Sequence, residues 1–382
     1  MSSFLVCNKY ICNSGLYIDR LIFMPITQEN FYKQNTRYLN KINTNNFDFL
    51  RVVFAFTVAF AHLIELSNLE VLNPYKGYFN TRLAIDGFFI VSGFLIAKSY
   101  ENSSTIKEYI IRRAKRIIPA YVVVILTSAL LFSFISTNSL YDYFFNLQFW
   151  KYLGANLSFQ NYLEPCLPGV FETNRICAVN GALWTIKIEE AFYLSVPLFY
   201  WLVGVKKINF YGLIIIVYVL SVIYYMYFLS IDNYRIAKQL PGALAFFATG
   251  IVFYKNFSLL HKWKDYIIIP CLILFALEHY IFKTQILKPI VFGFMVFYIA
   301  YSFRFLNNFG KYGDFTYGIY IYHFPVIQLF AFLSLFNKYP PFIMCAIVLA
   351  ITLTLAILSW YLVELPYLSK SRRLRQKKLL SK

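Results

Sequence analysis

The sequence predicts an all-α fold: a polytopic transmembrane helix bundle of about ten spanning helices with both termini cytoplasmic. Three observations predict it. First, 59% of the 382 residues are hydrophobic and only 14% charged, where a soluble domain carries about 25% charge; the mean hydropathy is +0.55. Second, apolar runs of about 20 residues recur along the chain, each enough for the hydrocarbon core of a bilayer. Third, about three quarters of the 36 Lys and Arg fall between those runs on the same side as the N-terminus, the side that basic residues mark as cytoplasmic. The formal net charge of +18 is thereby an orientation signal, and no nucleic acid partner is expected. Six cysteines and four histidines show no ligand spacing, so no metal is expected.

The runs lie at about 48–68, 81–99, 117–137, 183–204, 209–230, 239–255, 264–282, 286–303, 314–336 and 342–363. They divide the chain into a polar N-terminal extension (1–46), a membrane domain (47–368) and a basic cytoplasmic tail (369–382). The extension is polar and Asn-rich, without a cleavable leader pattern. Its Cys7 and Cys12 specify no metal site, and Met24 is an alternative start that the mass of the mature N-terminus distinguishes from Met1.

The first run, FDFLRVVFAFTVAFAHLIEL, carries Arg51 and His62. An ionisable group at that depth costs roughly 3 kcal/mol or more unless it is paired, hydrated or held in a cavity, so each is a functional candidate. Eleven helical residues lift His62 about 16 Å above Arg51 on much the same face. In the second run, RLAIDGFFIVSGFLIAKSY, Asp86 needs Arg82 or a site as partner, while Gly87, Ser92 and Gly93 allow close helix approach. The cytoplasmic stretch TIKEYIIRRAKRIIPAYVVV sets Arg112, Arg113, Lys115 and Arg116 before a membrane entry. Such a cluster contacts lipid headgroups, and Arg113 and Arg116 at i and i+3 also suit phosphate. Pro119 is expected in the first turn of the helix that follows.

A long outward segment then holds Phe149, Trp150, Tyr152 and Tyr162, aromatics suited to a membrane interface or to stacking on sugars. Cys166 and Cys177 lie on its oxidising side and are expected to form a disulfide. In LWTIKIEEAFYL, Glu189 falls about 9 Å below the outer surface, the depth calculated for His62, which makes it a candidate to orient that imidazole; pairing with Lys187 is the bland alternative. His261 and Asp265 form an HxxxD in a basic turn and carry little, and His279 reads as interfacial. YGIYIYHFP puts Tyr320 and His323 on one helical face, and VELP closes the domain.

Together these motifs resemble the membrane-bound acyltransferase 3 family, which O-acylates sugars and other hydroxylated acceptors. The resemblance covers about residues 46–368 and rests on Arg51 to His62, DGFFIVSGFLI, RRAKRIIP, LWTIKIEEAFYL, YGIYIYHFP and VELP in order. Lys187 and Ala191 depart from the family's usual residues, which bears on acceptor contacts. The resemblance implies His62 as catalytic base, with Glu189 or Asp86 assisting. It implies Arg51 as the companion of His62 and Arg113 and Arg116 as a cytoplasmic RxxR; with these, Arg112, Tyr320 and His323 are read as donor-binding residues, Arg51 or a Tyr stabilising either the oxyanion or the CoA. Acetyl-CoA, as acyl donor and co-substrate, would arrive from the cytoplasm. A glycan, lipid-linked sugar or other hydroxylated acceptor would come from outside, in the setting of surface polysaccharide or lipopolysaccharide in a bacterial inner membrane. The rival reading is a transporter or flippase for a lipid-linked sugar, which would move substrate without releasing CoA.

Overall fold

The computed structural model describes residues 42–282, 284–307 and 309–368; Cys7, Cys12, Met24 and the basic tail lie outside the described residues. Among the described residues there is no strand, and a long helix stands at each of the ten predicted places. In chain order these are α1 Phe47–Ser67, α2 Thr81–Glu101, α3 Ile106–Leu131, α4 Trp184–Gly204, α5 Phe210–Ser230, α6 Leu240–Lys255, α7 Phe257–Ala276, α8 Lys288–Ser302, α9 Thr316–Phe332 and α10 Pro341–Leu358. Among the described residues seven helical stretches, or up to eight, are long and apolar enough to cross a membrane, α6 being one of them once the short turn Tyr234–Ala237 before it is included. Those that fall short have visible reasons. α4 carries Lys187, Glu189 and Glu190, whereas α8 and α9 have only 15 and 17 residues.

Local signals fix the helix starts. Asn80 and Asn209 accept the backbone N–H of Leu83 and Gly212 at the heads of α2 and α5, and prolines open α6, α8 and α10. At α3 the Thr105 side chain accepts from Glu108 N–H while the Glu108 carboxylate accepts from Ser104 N–H (2.8 Å), a reciprocal cap. This cap starts the helix at Ile106, eleven residues before the predicted entry. Pro119 consequently sits inside α3 rather than in its first turn. The Arg112–Arg116 cluster is therefore helical throughout.

Packing separates an inner from an outer set. Among the apolar windows, 61% of residues are buried in α2 and in α6 but only 11% in α5 and in α7, whose Ile216, Leu220, Ile269 and Ile273 face outward as lipid-contacting residues do. α2 and α6 touch backbone to backbone. A Cβ added at Gly93 would lie 2.1 Å from the Phe247 carbonyl, and one at Gly250 2.1 Å from that of Ile90, so only glycine fits at this crossing. α1 and α9 run side by side in the same direction, since Arg51 meets Asp314 just before α9 and His62 meets His323 further along it.

The segment between α3 and α4 folds into two short helices, Leu140–Phe145 and Leu147–Leu157, and a loop closed by a Cys166–Cys177 disulfide (Cα–Cα 5.4 Å). Its aromatics do not all face out. Phe149 and Tyr152 are buried, leaving Trp150 and Tyr162 exposed, because a helix places residues three apart on one face and their neighbours on another. Burial pushes the Tyr143 and Tyr152 phenols above their usual pKa, and Tyr143 donates to the Ala129 carbonyl at 2.8 Å. The loop is stitched to α9. Gln328 Nε2 donates to the carbonyls of Ile176 and Ala178, and Asn174 Nδ2 donates back to the Gln328 carbonyl. Pro325 has no N–H for the Ile321 carbonyl, and Asn180 Nδ2 supplies the missing donor at 2.8 Å.

Candidate active site

One end of the bundle gathers the arginines. Arg51 on α1 is bridged to Asp48 one turn away and donates to Asp314 at 2.9 Å. Arg116 on α3 donates to the same Asp314 oxygen at 2.7 Å and to Glu364, in the π-helical turn Ser359–Glu364 that follows α10. Asp314 and Glu364 thus join α1, α3, α9 and α10 at one level. Buried guanidinium groups require such partners, because an unpaired charge at low dielectric is costly. Arg116 also lies over the rings of Trp360 and Tyr317, at 5.6 and 5.7 Å.

The other members of the basic run are placed differently. Arg112 is exposed and ion-paired to Glu108. Arg113 sits over the Tyr193 ring at 5.7 Å, and its Nε is buried without a hydrogen-bond partner among the described residues.

Arg51, Arg113 and Arg116 line the cationic part, or mouth, of a partly open cavity between α1, α2, α3, α4 and α9. Its wall continues through Glu189 and Tyr193 to Phe88, Thr185 and Tyr320. Glu189 accepts from the Tyr193 hydroxyl at 2.5 Å, and the Tyr320 hydroxyl pairs with Thr185 Oγ1 at 2.6 Å. A cationic mouth leading into an aromatic and hydroxyl-lined shaft suits a long, thin ligand with an anionic head.

His62 stands just past the Tyr320 side of this wall. Its Nδ1 lies 2.8 Å from Nε2 of His323, whose own Nδ1 lies 3.1 Å from the Ile319 carbonyl. The two imidazole planes differ by only 7°, and the edge of Phe324 braces His62 with ring centroids 5.2 Å apart. His323 is completely buried, and its ring centroid is 5.9 Å from that of Tyr320.

The carboxylates expected beside His62 are bonded elsewhere. Asp86 is fully buried against Arg82 on its own helix, and Arg82 in turn stacks on Tyr225 at 5.0 Å. Glu189 is held by Tyr193, and Lys187 lies over the Tyr162 ring at 4.5 Å rather than on Glu189. The partner of His62 is another histidine. Equal depth points to Glu189, but depth is one coordinate of three; the signal for the actual partner is that YIYHFP holds a second imidazole inside a spanning run. Asp314 was missed as well, although two arginines at helix mouths in a chain with only 18 acidic residues make each nearby carboxylate a candidate partner. Among the described residues no group of three His, Cys, Asp or Glu side chains gathers as metal ligands.

A family model, acyltransferase 3, described as an acyltransferase domain, matches residues 44–361. The chain belongs to the acyltransferase 3 family. Among relatives of this acyltransferase, the O-acetyl transferase of Shigella phage Sf6 is 28% identical over 359 residues, 86% of this chain and 97% of the phage protein. Nodulation protein 10 of Rhizobium leguminosarum bv. viciae is 29% identical over 164 residues, 40% of this chain and 43% of that protein. No solved structure matches the chain. The chain is therefore an integral-membrane acyltransferase, and the cavity between its arginine mouth and its histidine pair is the candidate active site of this acyltransferase 3 protein.

Proposed function

We propose that the protein transfers an acetyl group from cytoplasmic acetyl-CoA to a hydroxyl of a glycan or lipid-linked sugar presented at the outer face of a bacterial inner membrane. The observation that carries this reading is the cavity, which starts at three arginines and ends at Tyr320, beside His62 and His323. Both termini lie on the cytoplasmic side in this scheme, as the distribution of Lys and Arg favours, with 47–368 as the catalytic domain and 1–46 and 369–382 as appendages. Relatedness to a phage O-acetyl transferase along nearly its whole length favours acetyl as the group moved.

Arg113, which among the described residues shows no ion pair with a carboxylate, contacts the anionic end of the donor, while Arg51 and Arg116 hold the mouth open around it. The pantetheine arm extends along Glu189 and Tyr193 toward Tyr320. A small movement of the Phe88 and Tyr320 rings, now 5.8 Å apart, then brings the thioester to His62. His62 removes the proton of the acceptor hydroxyl as its oxygen attacks the thioester carbonyl, and the thiolate leaves with that proton as CoA. The Tyr320 hydroxyl, held in this structure by Thr185 Oγ1 and the Ala182 carbonyl, would turn from them to donate to the developing oxyanion. Glu189 acts through Tyr193 on the shape of the shaft, and Asp86 braces α2 through Arg82. A transporter needs no such relay of base and donor, and the family match favours the enzyme.

Membranes containing the full chain, incubated with radiolabelled acetyl-CoA, test this. Label in membrane glycan or lipid with release of free CoA is the expected result, and His62→Ala is expected to abolish both at an unchanged protein level. Transfer retained in that variant removes His62 from the mechanism, and movement of substrate without CoA release favours transport.

A further inference from the structure

We propose that His323 is a positioning residue: it fixes His62 in the tautomer that carries its proton on Nδ1, so that Nε2 is the basic nitrogen, and it does not bind the donor. The inference rests on the reading of His62 as the base. It starts from the one group in the chain of contacts whose role is fixed. The Ile319 carbonyl can only accept, so the His323 Nδ1 that lies 3.1 Å from it carries a hydrogen. A neutral imidazole has a single N–H, which leaves His323 Nε2 with a lone pair. His62 Nδ1, 2.8 Å away, is then the donor, and a neutral His62 has its own lone pair on Nε2.

The surrounding packing holds this order in place. The two rings are within 7° of parallel, and Phe324 closes one side of His62. Phe324 itself rests on Gly181, where an added Cβ would lie 2.7 Å from its ring. Asn180 and Gln328 fix the helix that carries His323. Neither histidine is among the residues that line the cavity, which reaches Tyr320 one turn before His323; burial separates the pair, since His323 is completely buried while His62 keeps partial exposure, so His62 is the ring a substrate can reach.

An acid in the place of His323 would select the same tautomer, but it would bury a full charge beside the base before any proton had moved. An imidazole selects it without charge. When His62 Nε2 takes the acceptor's proton, the Nδ1–H bond to His323 becomes charge-assisted and so strengthens only in the protonated state. The proton then passes from Nε2 to the sulfur of the departing thiolate, which restores the neutral pair and leaves CoA as a thiol.

The test uses the full chain in lipid nanodiscs or native membranes, with acetyl-CoA as the variable substrate and label transfer as the rate. His323→Ala is expected to lower kcat by at least about 100-fold, in the range of a misdirected general base, with the KM for acetyl-CoA unchanged. His323→Gln, whose amide oxygen accepts from His62 Nδ1, is expected to recover most of that loss. In the unmutated protein, nitrogen NMR of labelled histidine is expected to find the His62 hydrogen on Nδ1, and in His323→Ala a mixture of tautomers. A raised KM with kcat preserved would assign His323 to the donor, and unchanged kinetics would make it a packing residue; either overturns the proposal. So does a His62 hydrogen on Nε2 in the unmutated protein, whatever the variants do. If His62→Ala is inactive and His323→Ala is not, this inference fails alone; if His62→Ala stays active, the reading beneath it fails too.

Discussion

Arg51 and His62 share one helix, yet they are held by opposite physics. At the Arg51 level the chain assembles full charges: Asp314, from a distant segment, cross-links Arg51 and Arg116, while Asp48 on the same helix and the distant Glu364 pair with one arginine each. At the His62 level the bonded neighbours are a second imidazole and a backbone carbonyl, none of which need be charged. The difference teaches where a membrane enzyme can keep charge. Near the mouth, ion pairs can be closed into a network and help to fix four helices together. Deeper in, the hydrogen-bonded partners of His62 are an imidazole and, beyond it, a carbonyl, so that a proton arriving on His62 is a new charge within that pair, with the Lys238 ammonium as a cationic neighbour.

Breaking the charged end should have the largest effect on stability. Asp314→Ala strips Arg51 and Arg116 of their shared partner and is expected to cost about 3–5 kcal/mol, read as a lower unfolding temperature in detergent; a melting point equal to the parent's would mean that water replaces the carboxylate. Sharpening the contrast among the arginines comes next. Arg113→Ala should raise the KM for acetyl-CoA by about 10- to 100-fold, the worth of a charge-assisted hydrogen bond, with the melting temperature little changed. Arg116→Ala should do the reverse, losing stability first. Equal behaviour of the two variants in both assays would erase the distinction between a ligand-facing and a tied guanidinium. The smallest effect is expected at the neutral end. Asn180→Ala leaves the Ile321 carbonyl without its donor and should cost about 1–3 kcal/mol, together with a loss of transfer rate because His323 lies two residues on. A stable variant with full activity would show that the stitch across Pro325 is dispensable.

Much of this architecture could be read from the amino acids. The ten apolar runs became ten helices because a bilayer leaves a backbone little choice but to satisfy its own hydrogen bonds. Arg51, Arg113, Arg116, Glu189 and Tyr320 surround one cavity as a group, because polar side chains inside spanning runs turn toward the bundle interior. The start of α3 was also written in the sequence, as Thr105 and Glu108 three residues apart, but hydropathy gave more weight to the basic run than to its cap. What the sequence did not carry was pairing. Arg51 with Asp314 spans 263 positions and His62 with His323 spans 261, and no local pattern encodes which helix stands beside which. Depth along each helix follows from a rise per residue, but lateral neighbours follow from the order of packing, which is a property of the whole bundle.

The 17 residues of α9 carry a consequence of their own. At 1.5 Å each they rise about 26 Å, less than the roughly 30 Å of hydrocarbon around them, whereas the 26 residues of α3 rise about 39 Å. His323 is the eighth of the 17 residues of α9, about 10 Å of helical rise from one end and about 14 Å from the other. In the proposed reaction the donor and the acceptor would each cover only about half of that length before meeting at the histidine pair.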